Sequence, residues 1–224
     1  MAAIMLFGTI TTFAQKPFAG TITFETTAPN CTDPNVAAEL AEATKTIKLL
    51  GNSTRTDVGQ MGYTLITNGD YKSMTTIIDI PGYGKYYFEK EGAELEKAFE
   101  TIKLDYEYTE ETKSICGYEC KKVNAKMTNL ETDEESTFVF WVTDALQTGD
   151  AINFLTAPGL KGYPLSSEQT QEINGEEILL VETATAVTPS KKVKVGDFLR
   201  PADAINIKDA SADVKAMLGY EDEE

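Results

Sequence analysis

The chain has no histidine. That removes the side chain whose ordinary pKa lies nearest neutrality, and with it histidine-based triads and histidine-ligated metal centres. Acid–base work would fall to carboxylates, Lys or Tyr. Glu107, Glu110 and Glu111 are close enough in sequence to be imagined as paired carboxyls of the kind that flank a scissile bond. They stand at the end of a strand pattern, just before Thr112, where a polar loop explains them better. The run Glu131-Thr132-Asp133-Glu134-Glu135 offers oxygen ligands of the type calcium prefers. It lacks the spaced ligands and central glycine of an EF-hand loop, and reads as a solvated hairpin tip. Ser166-Ser167 has no histidine base to activate a hydroxyl. No phosphate-cradling glycine loop, GxSxG elbow or HExxH helix occurs. The expectation is a protein that is not an enzyme and has no metal site or cofactor.

Three cysteines, Cys31, Cys116 and Cys120, leave at least one unpaired within the chain. Residues four apart in an extended strand lie about 13 Å apart, beyond disulfide reach. A turn at Gly117 would bring Cys116 and Cys120 together; without it, Cys31 would bridge to one of them. The Cys116–Cys120 pairing is preferred. Three cysteines without histidine also fall short of a tetrahedral zinc site. The sequons Asn30-Cys31-Thr32 and Asn52-Ser53-Thr54 matter only in a glycosylating pathway.

A net charge of −16 repels nucleic acid and anionic membrane surfaces at long range, so neither is an expected partner. Residues 1–15, MAAIMLFGTITTFAQ, are uncharged and apolar, and small Thr12 and Ala14 form the pattern that a signal peptidase accepts. The run is too short for a transmembrane helix, which needs about 20 apolar residues, and no later segment is long enough either. These features predict a signal peptide over 1–15, one β-rich domain over 16–220 and an acidic tail over 221–224. They also predict export to a periplasmic or extracellular location.

The elements that must position any site are mostly strands. Alternation marks Gly20–Glu25, Lys45–Leu50, Thr54–Gly59, Tyr63–Thr67, Tyr71–Ile80, Lys85–Phe88, Lys103–Tyr108, Cys120–Met127, Phe138–Val142, Ile173–Ala186 and Lys191–Val195. Short helices are expected over Val36–Ala43, Glu91–Phe99 and Ala212–Leu218. Ala145–Ser167, rich in glycine and proline, is the least strand-like stretch. Many short strands with frequent turn signals predict one antiparallel system.

Within it, Phe24, Leu104, Tyr106, Tyr108, Phe138 and Phe140 fall at alternate strand positions and define an apolar wall. Such a stripe suits either an ordinary sealed core or a partly filled concave face that takes a ligand. Tyr fits the second role because its ring is apolar and its hydroxyl reaches water. Periodicity leaves both readings open.

Glu111–Val123, ETKSICGYECKKV, resembles a segment of secreted β-rich proteins of Bacteroidota, the family catalogued as domain of unknown function 4412. The opening Phe18–Glu25 and the late Val195–Pro201 are similar to that family as well. Ala157–Leu165 is similar to the related GLPGLI proteins, with departures from their motif. In the resembled pattern Cys120 is the familiar cysteine and Cys116 an addition. The resemblance implies the fold of periplasmic lipoprotein carriers of the Lol type: mainly β, a curved antiparallel half-barrel or open barrel with a few short helices on its concave side. It points to binding or carriage of a hydrophobic or amphipathic ligand, such as a lipid or lipoprotein acyl chain. The other expectation is an envelope interaction module that docks a protein through sheet edges or residues 145–167.

Overall fold

The computed structural model describes residues 17–42, 44–58, 62–149 and 151–220. The expected signal peptide and acidic tail lie outside the described residues. Strands dominate, in the order β1 (Ala19–Thr27), β2 (Lys45–Leu50), β3 (Ser53–Val58), β4 (Tyr63–Asn68), β5 (Ser73–Ile80) and β6 (Gly84–Glu91). After them come β7 (Ile102–Ile115), β8 (Tyr118–Asn129), β9 (Glu135–Thr143), β10 (Tyr163–Ile173), β11 (Glu176–Pro189) and β12 (Ile205–Asn206). Among the described residues there are three short α-helices, α1 (Pro34–Glu42), α2 (Ala93–Phe99) and, after the last strand, α3 (Ala212–Met217).

Local chemistry explains several of these boundaries. The β7–β8 and β10–β11 hairpins turn on Cys116-Gly117 and Asn174-Gly175, all four with positive φ. Two-residue turns of that kind match the twist of the strands they join. Helix α1 opens with Pro34 at its first position, while Asp33 Oδ1 accepts from the Asn35 N–H at 2.8 Å. Ser211 caps α3 by accepting from the Val214 N–H.

All twelve strands form one sheet, ordered β12-β6-β5-β4-β3-β2-β1-β11-β10-β9-β8-β7. Every pairing is antiparallel except the short contact of β12 with β6. Strand β1 sits near the middle, between β2 and β11. Strands β6 and β7 are ten steps apart in this order, which in a flat sheet is about 48 Å at the usual strand spacing. Yet only Gly92–Thr101 joins them, and seven of those residues form α2. A seven-residue helix rises about 10 Å, and three flanking residues add about the same, so the connection reaches roughly 20 Å. The sheet must therefore curl strongly. It remains open, because β7 and β12 are its two unjoined ends.

Three irregularities bend it. Register shifts lie between Tyr108 and Thr112 on β7, between Thr23 and Phe24 on β1, and between Pro164 and Ser166 on β10. Extra residues at such points raise local twist and curve the strand. Two buried clusters lie against the segment that follows β9. One joins Ile22, Phe24, Ile47 and Leu49 to Cys120, Leu165, Leu146 and Ile152. The other sets Val123 and Val142 against Ala157 and Leu160. A third forms where the C-terminal segment packs Ile207 and Val214 on Tyr86 of β6.

Two expectations need correction. Lys191–Val195 is not a strand: it is a turn leading into a 3-10 helix at Val195–Phe198, and Val195 is 71% exposed. Its alternation had no neighbouring strand to pair with. The stretch expected to be irregular ends earlier than Ser167, since β10 begins at Tyr163. Helix α1 buries no residue, so the covering of the cavity described next does not come from it.

Candidate functional site

Residues 144–162 leave β9, cross the sheet and return as β10. Among the described residues of this segment, no helix or strand forms. Leu146, Ile152, Ala157 and Leu160 are buried, so the segment is packed on the sheet even though it is irregular. Asn153 organises it from within. Its side chain is buried, and Nδ2 donates to the Leu160 carbonyl at 3.1 Å and the Gly162 carbonyl at 2.7 Å. The Ala157 N–H donates to the Asn153 carbonyl, closing one tight turn. At one end the Phe18 N–H donates to the Leu146 carbonyl. Elsewhere the backbone at Gly69 approaches so closely that a Cβ there would lie 2.3 Å from the Ala151 carbonyl oxygen.

Two tyrosines of β7 fasten the other end. Tyr106 Oη donates to the Pro158 carbonyl at 3.2 Å, and Tyr108 Oη accepts from the Lys161 N–H at 2.7 Å. Burial pushes the Tyr106 phenol up to about 12, with Tyr108 adding to the rise. Burial, reinforced by the nearby Glu182 carboxylate, also raises Tyr163 well above its ordinary value. Both phenols are therefore uncharged at neutral pH.

Under this segment lies a cavity of about 140 Å³. Residues from β1, β2, β3, β4, β9, β10 and β11 line it, together with Ile152, Asn153 and Leu155–Ala157. Strands β4 and β9 are six steps apart, about 29 Å in a flat sheet, so this is the concave side. Phe24, Ile47, Leu65 and Phe140 give it apolar walls. Several of its polar groups are paired. Lys45 Nζ meets Glu182 Oε1 at 2.5 Å, with about a quarter of each side chain exposed. The same ammonium lies 5.1 Å from the centre of the Phe24 ring. The Thr54 and Thr67 hydroxyls meet at 2.7 Å, and Ser166 Oγ meets Thr183 Oγ1 at 2.9 Å. The lining thus combines greasy walls with an ion pair and a hydroxyl-bearing strip.

The register sets five residues of the expected wall, all but Phe24 of β1, on one face of β7–β9. Tyr106 lies opposite Ala125, which lies opposite Phe138; Tyr108 lies opposite Val123, which lies opposite Phe140; Leu104 lies opposite Met127. Phe138 and Phe140 stack with centroids 6.1 Å apart and planes within 8°. These residues divide by role. Phe24 and Phe140 line the cavity, whereas Tyr106 and Tyr108 hold the covering segment. Leu104 and Phe138 lie half-buried outside the lining, and Tyr108 is 44% exposed.

Lys45, Glu182, Thr54, Thr67 and Asn153 had not been singled out in the sequence. A signal existed for Lys45: counting back by two from Leu49 and Ile47 puts it on their face. Glu182 and Asn153 carry no comparable mark.

The remaining candidates are structural. Glu107 accepts from Asn124 Nδ2, Glu111 pairs with Lys122 at 3.0 Å, and Glu131–Glu135 lies exposed at the β8–β9 turn. Cys31, Cys116 and Cys120 are free thiols, so the preferred Cys116–Cys120 bridge is not formed. The turn at Gly117 does occur, but Cys120 lies opposite Lys113 in the ladder while Cys116 occupies the turn itself. Cys116 Sγ instead lies 3.1 Å from the Ala184 carbonyl, and Cys120 is fully buried.

No protein-family model matches the sequence, and no curated protein matches it. Among solved structures, the chain is similar to the crystal structure of a DUF1329 family protein from Desulfovibrio piger ATCC 29098. The identity is 10% and the TM-score 0.22, over 82% of this chain and 90% of that one. This is a distant β-rich likeness to a different family from the one that Glu111–Val123 resembles, and membership of that resembled family finds no support. Among the described residues, no helix is long and apolar enough to cross a membrane.

Proposed function

We propose that this chain is an exported envelope protein that binds a hydrophobic or amphipathic molecule in the cavity beneath residues 144–162, and that it performs no catalysis. The observation that carries this reading is the cavity itself: seven strands converge on it, and an irregular segment roofs it. A roof without its own helical or strand ladder opens more cheaply than one that has it. At about 140 Å³ the space is smaller than the roughly 300–1,000 Å³ of pockets that engulf drug-sized ligands. It matches one group of about benzene size, the occupant known for apolar cavities near 150 Å³. The bound part is therefore slender, with the rest of the molecule along the half-buried Phe140–Phe138 stack.

The alternative, an interaction module that docks a protein through sheet edges or residues 145–167, is less well supported. That segment turns Leu146, Ile152 and Leu160 onto its own sheet.

Native mass spectrometry of the protein after exposure to a total lipid extract tests the proposal. The expected result is a bound small molecule that is lost in Leu155→Asn, a change in the cavity lining. A protein that recovers no ligand under these conditions refutes it. Fractionation with sequencing of the mature N-terminus checks export, which predicts a start close to residue 16.

A further inference from the structure

We infer that the cavity selects a neutral, single-chain amphipath with a hydroxyl-type head, and rejects chains whose head carries a net charge. This rests on the binding function proposed above and names the ligand class of the same site. The argument begins with Lys45 and Glu182, both in the lining and bonded to each other at 2.5 Å. About three-quarters of each side chain is withdrawn from water. An anionic head placed here is attracted by Lys45 and opposed by Glu182, and a cationic head meets the reverse. Either ion must also shed its own water in a place where the existing pair already satisfies the charges, and desolvation of an ion is the dominant penalty in such a site. A head without net charge avoids both penalties.

The opposite strip supplies what such a head needs. The Thr54 and Thr67 hydroxyls are in contact at 2.7 Å, and two hydroxyls in contact use one proton between them. The second proton and the remaining lone pairs can serve a ligand hydroxyl as donor and acceptor. The apolar end then has two places to lie. Phe24, Ile47 and Leu65 enclose the closed part, while Phe140 continues into the Phe138 stack on the half-buried side. That layout suits an unbranched chain better than a compact polycyclic body, because the enclosed volume takes only about six carbons.

The test is calorimetric titration of the full chain with 1-octanol, octanoate and octylammonium at neutral pH, in parallel with Ala157→Leu, which fills the lining. Wild type is expected to bind octanol at least about tenfold more tightly than either ion. Glu182→Gln leaves Lys45 unpaired and is expected to shift the preference to octanoate; Lys45→Met is expected to shift it to octylammonium. Should one of these variants fail to fold, the other and the wild-type comparison still decide. If an ion binds wild type as tightly as octanol does, and Ala157→Leu abolishes that binding, the head-group inference is overturned and the cavity reading survives. If none of the three probes binds wild type, or binding ignores Ala157→Leu, the cavity reading falls and this inference falls with it.

Discussion

Asn153→Ala is the most informative single change to the segment over the cavity. The side chain is buried, and it donates two hydrogen bonds to carbonyls seven and nine residues ahead. It thereby holds the loop 153–162 in its returning path. Each lost bond is worth about 1 kcal/mol net. The Leu160 carbonyl lies in a buried environment, and leaving it without a partner adds about 1–2 kcal/mol. The Gly162 carbonyl is only part-buried and can be rescued by water. The expected loss is therefore about 3 kcal/mol, a large fraction of the roughly 5–15 kcal/mol that holds a typical domain together. Urea unfolding read by near-ultraviolet circular dichroism measures it, and limited proteolysis reports whether cleavage within 144–162 accelerates. Asn153→Asp should be at least as damaging at neutral pH, because it aims a carboxylate at two carbonyl oxygens. It should recover partly in acid, where the protonated acid can donate one bond. A loss under about 0.5 kcal/mol in Asn153→Ala, in the range of an inert surface change, would refute the claim that this side chain ties the segment down.

Other consequences follow from the same structure. Gly20→Ala places a Cβ 2.4 Å from the Thr188 carbonyl oxygen and 2.6 Å from the Phe18 ring, and should cost about 1–3 kcal/mol by chemical denaturation. An unchanged midpoint would contradict that close approach. Tyr106 keeps its proton up to about pH 12 when folded but releases it near pH 10 when unfolded. Its contribution is thus fully present below pH 10 and is lost as pH rises through 12. Tyr106→Phe should flatten the stability profile in that window, and identical alkaline profiles would count against it. Without reductant, three thiols should titrate with a chromogenic disulfide in denaturant. In the native protein, exposed Cys116 should react while buried Cys120 stays silent, with Cys116 slowed because partial desolvation of its thiol raises its pKa. A single thiol in denaturant would mean that a bridge forms after all.

Most strands were legible because one face of each is wet. Lys103 to Tyr108 and Cys120 to Met127 alternate cleanly, and both lie inside longer observed strands. Strand β7 runs on to Ile115, but the register shift between Tyr108 and Thr112 interrupts its period and made Glu110 and Glu111 look like a loop. Strand β10 was hidden for a related reason. Only Tyr163 and Leu165 mark its apolar side before Ser-Ser-Glu-Gln-Thr-Gln, and the shift at Leu165 breaks the count. The dipeptide Asn174-Gly175 was the available clue, since it is a strong hairpin signal and it joins β10 to β11. The site was less legible than the sheet. The rings of β7–β9 could be placed on one face by counting, but not divided between cavity wall and anchor. That division depends on where residues 144–162 return, and their path is set by buried Asn153 and by tertiary contacts that no periodicity records.

The place of β1 in the sheet has a consequence for the order of assembly. The first described strand acquires its second neighbour only from the last long one, with Gly20 opposite Pro189. The stretches β2–β6 and β7–β9 are runs of adjacent strands that can pair from nearby chain, whereas joining the two halves through β1 and β11 requires closing a loop of most of the protein. Until that late step the Ile22 and Phe24 side of the core has no seal.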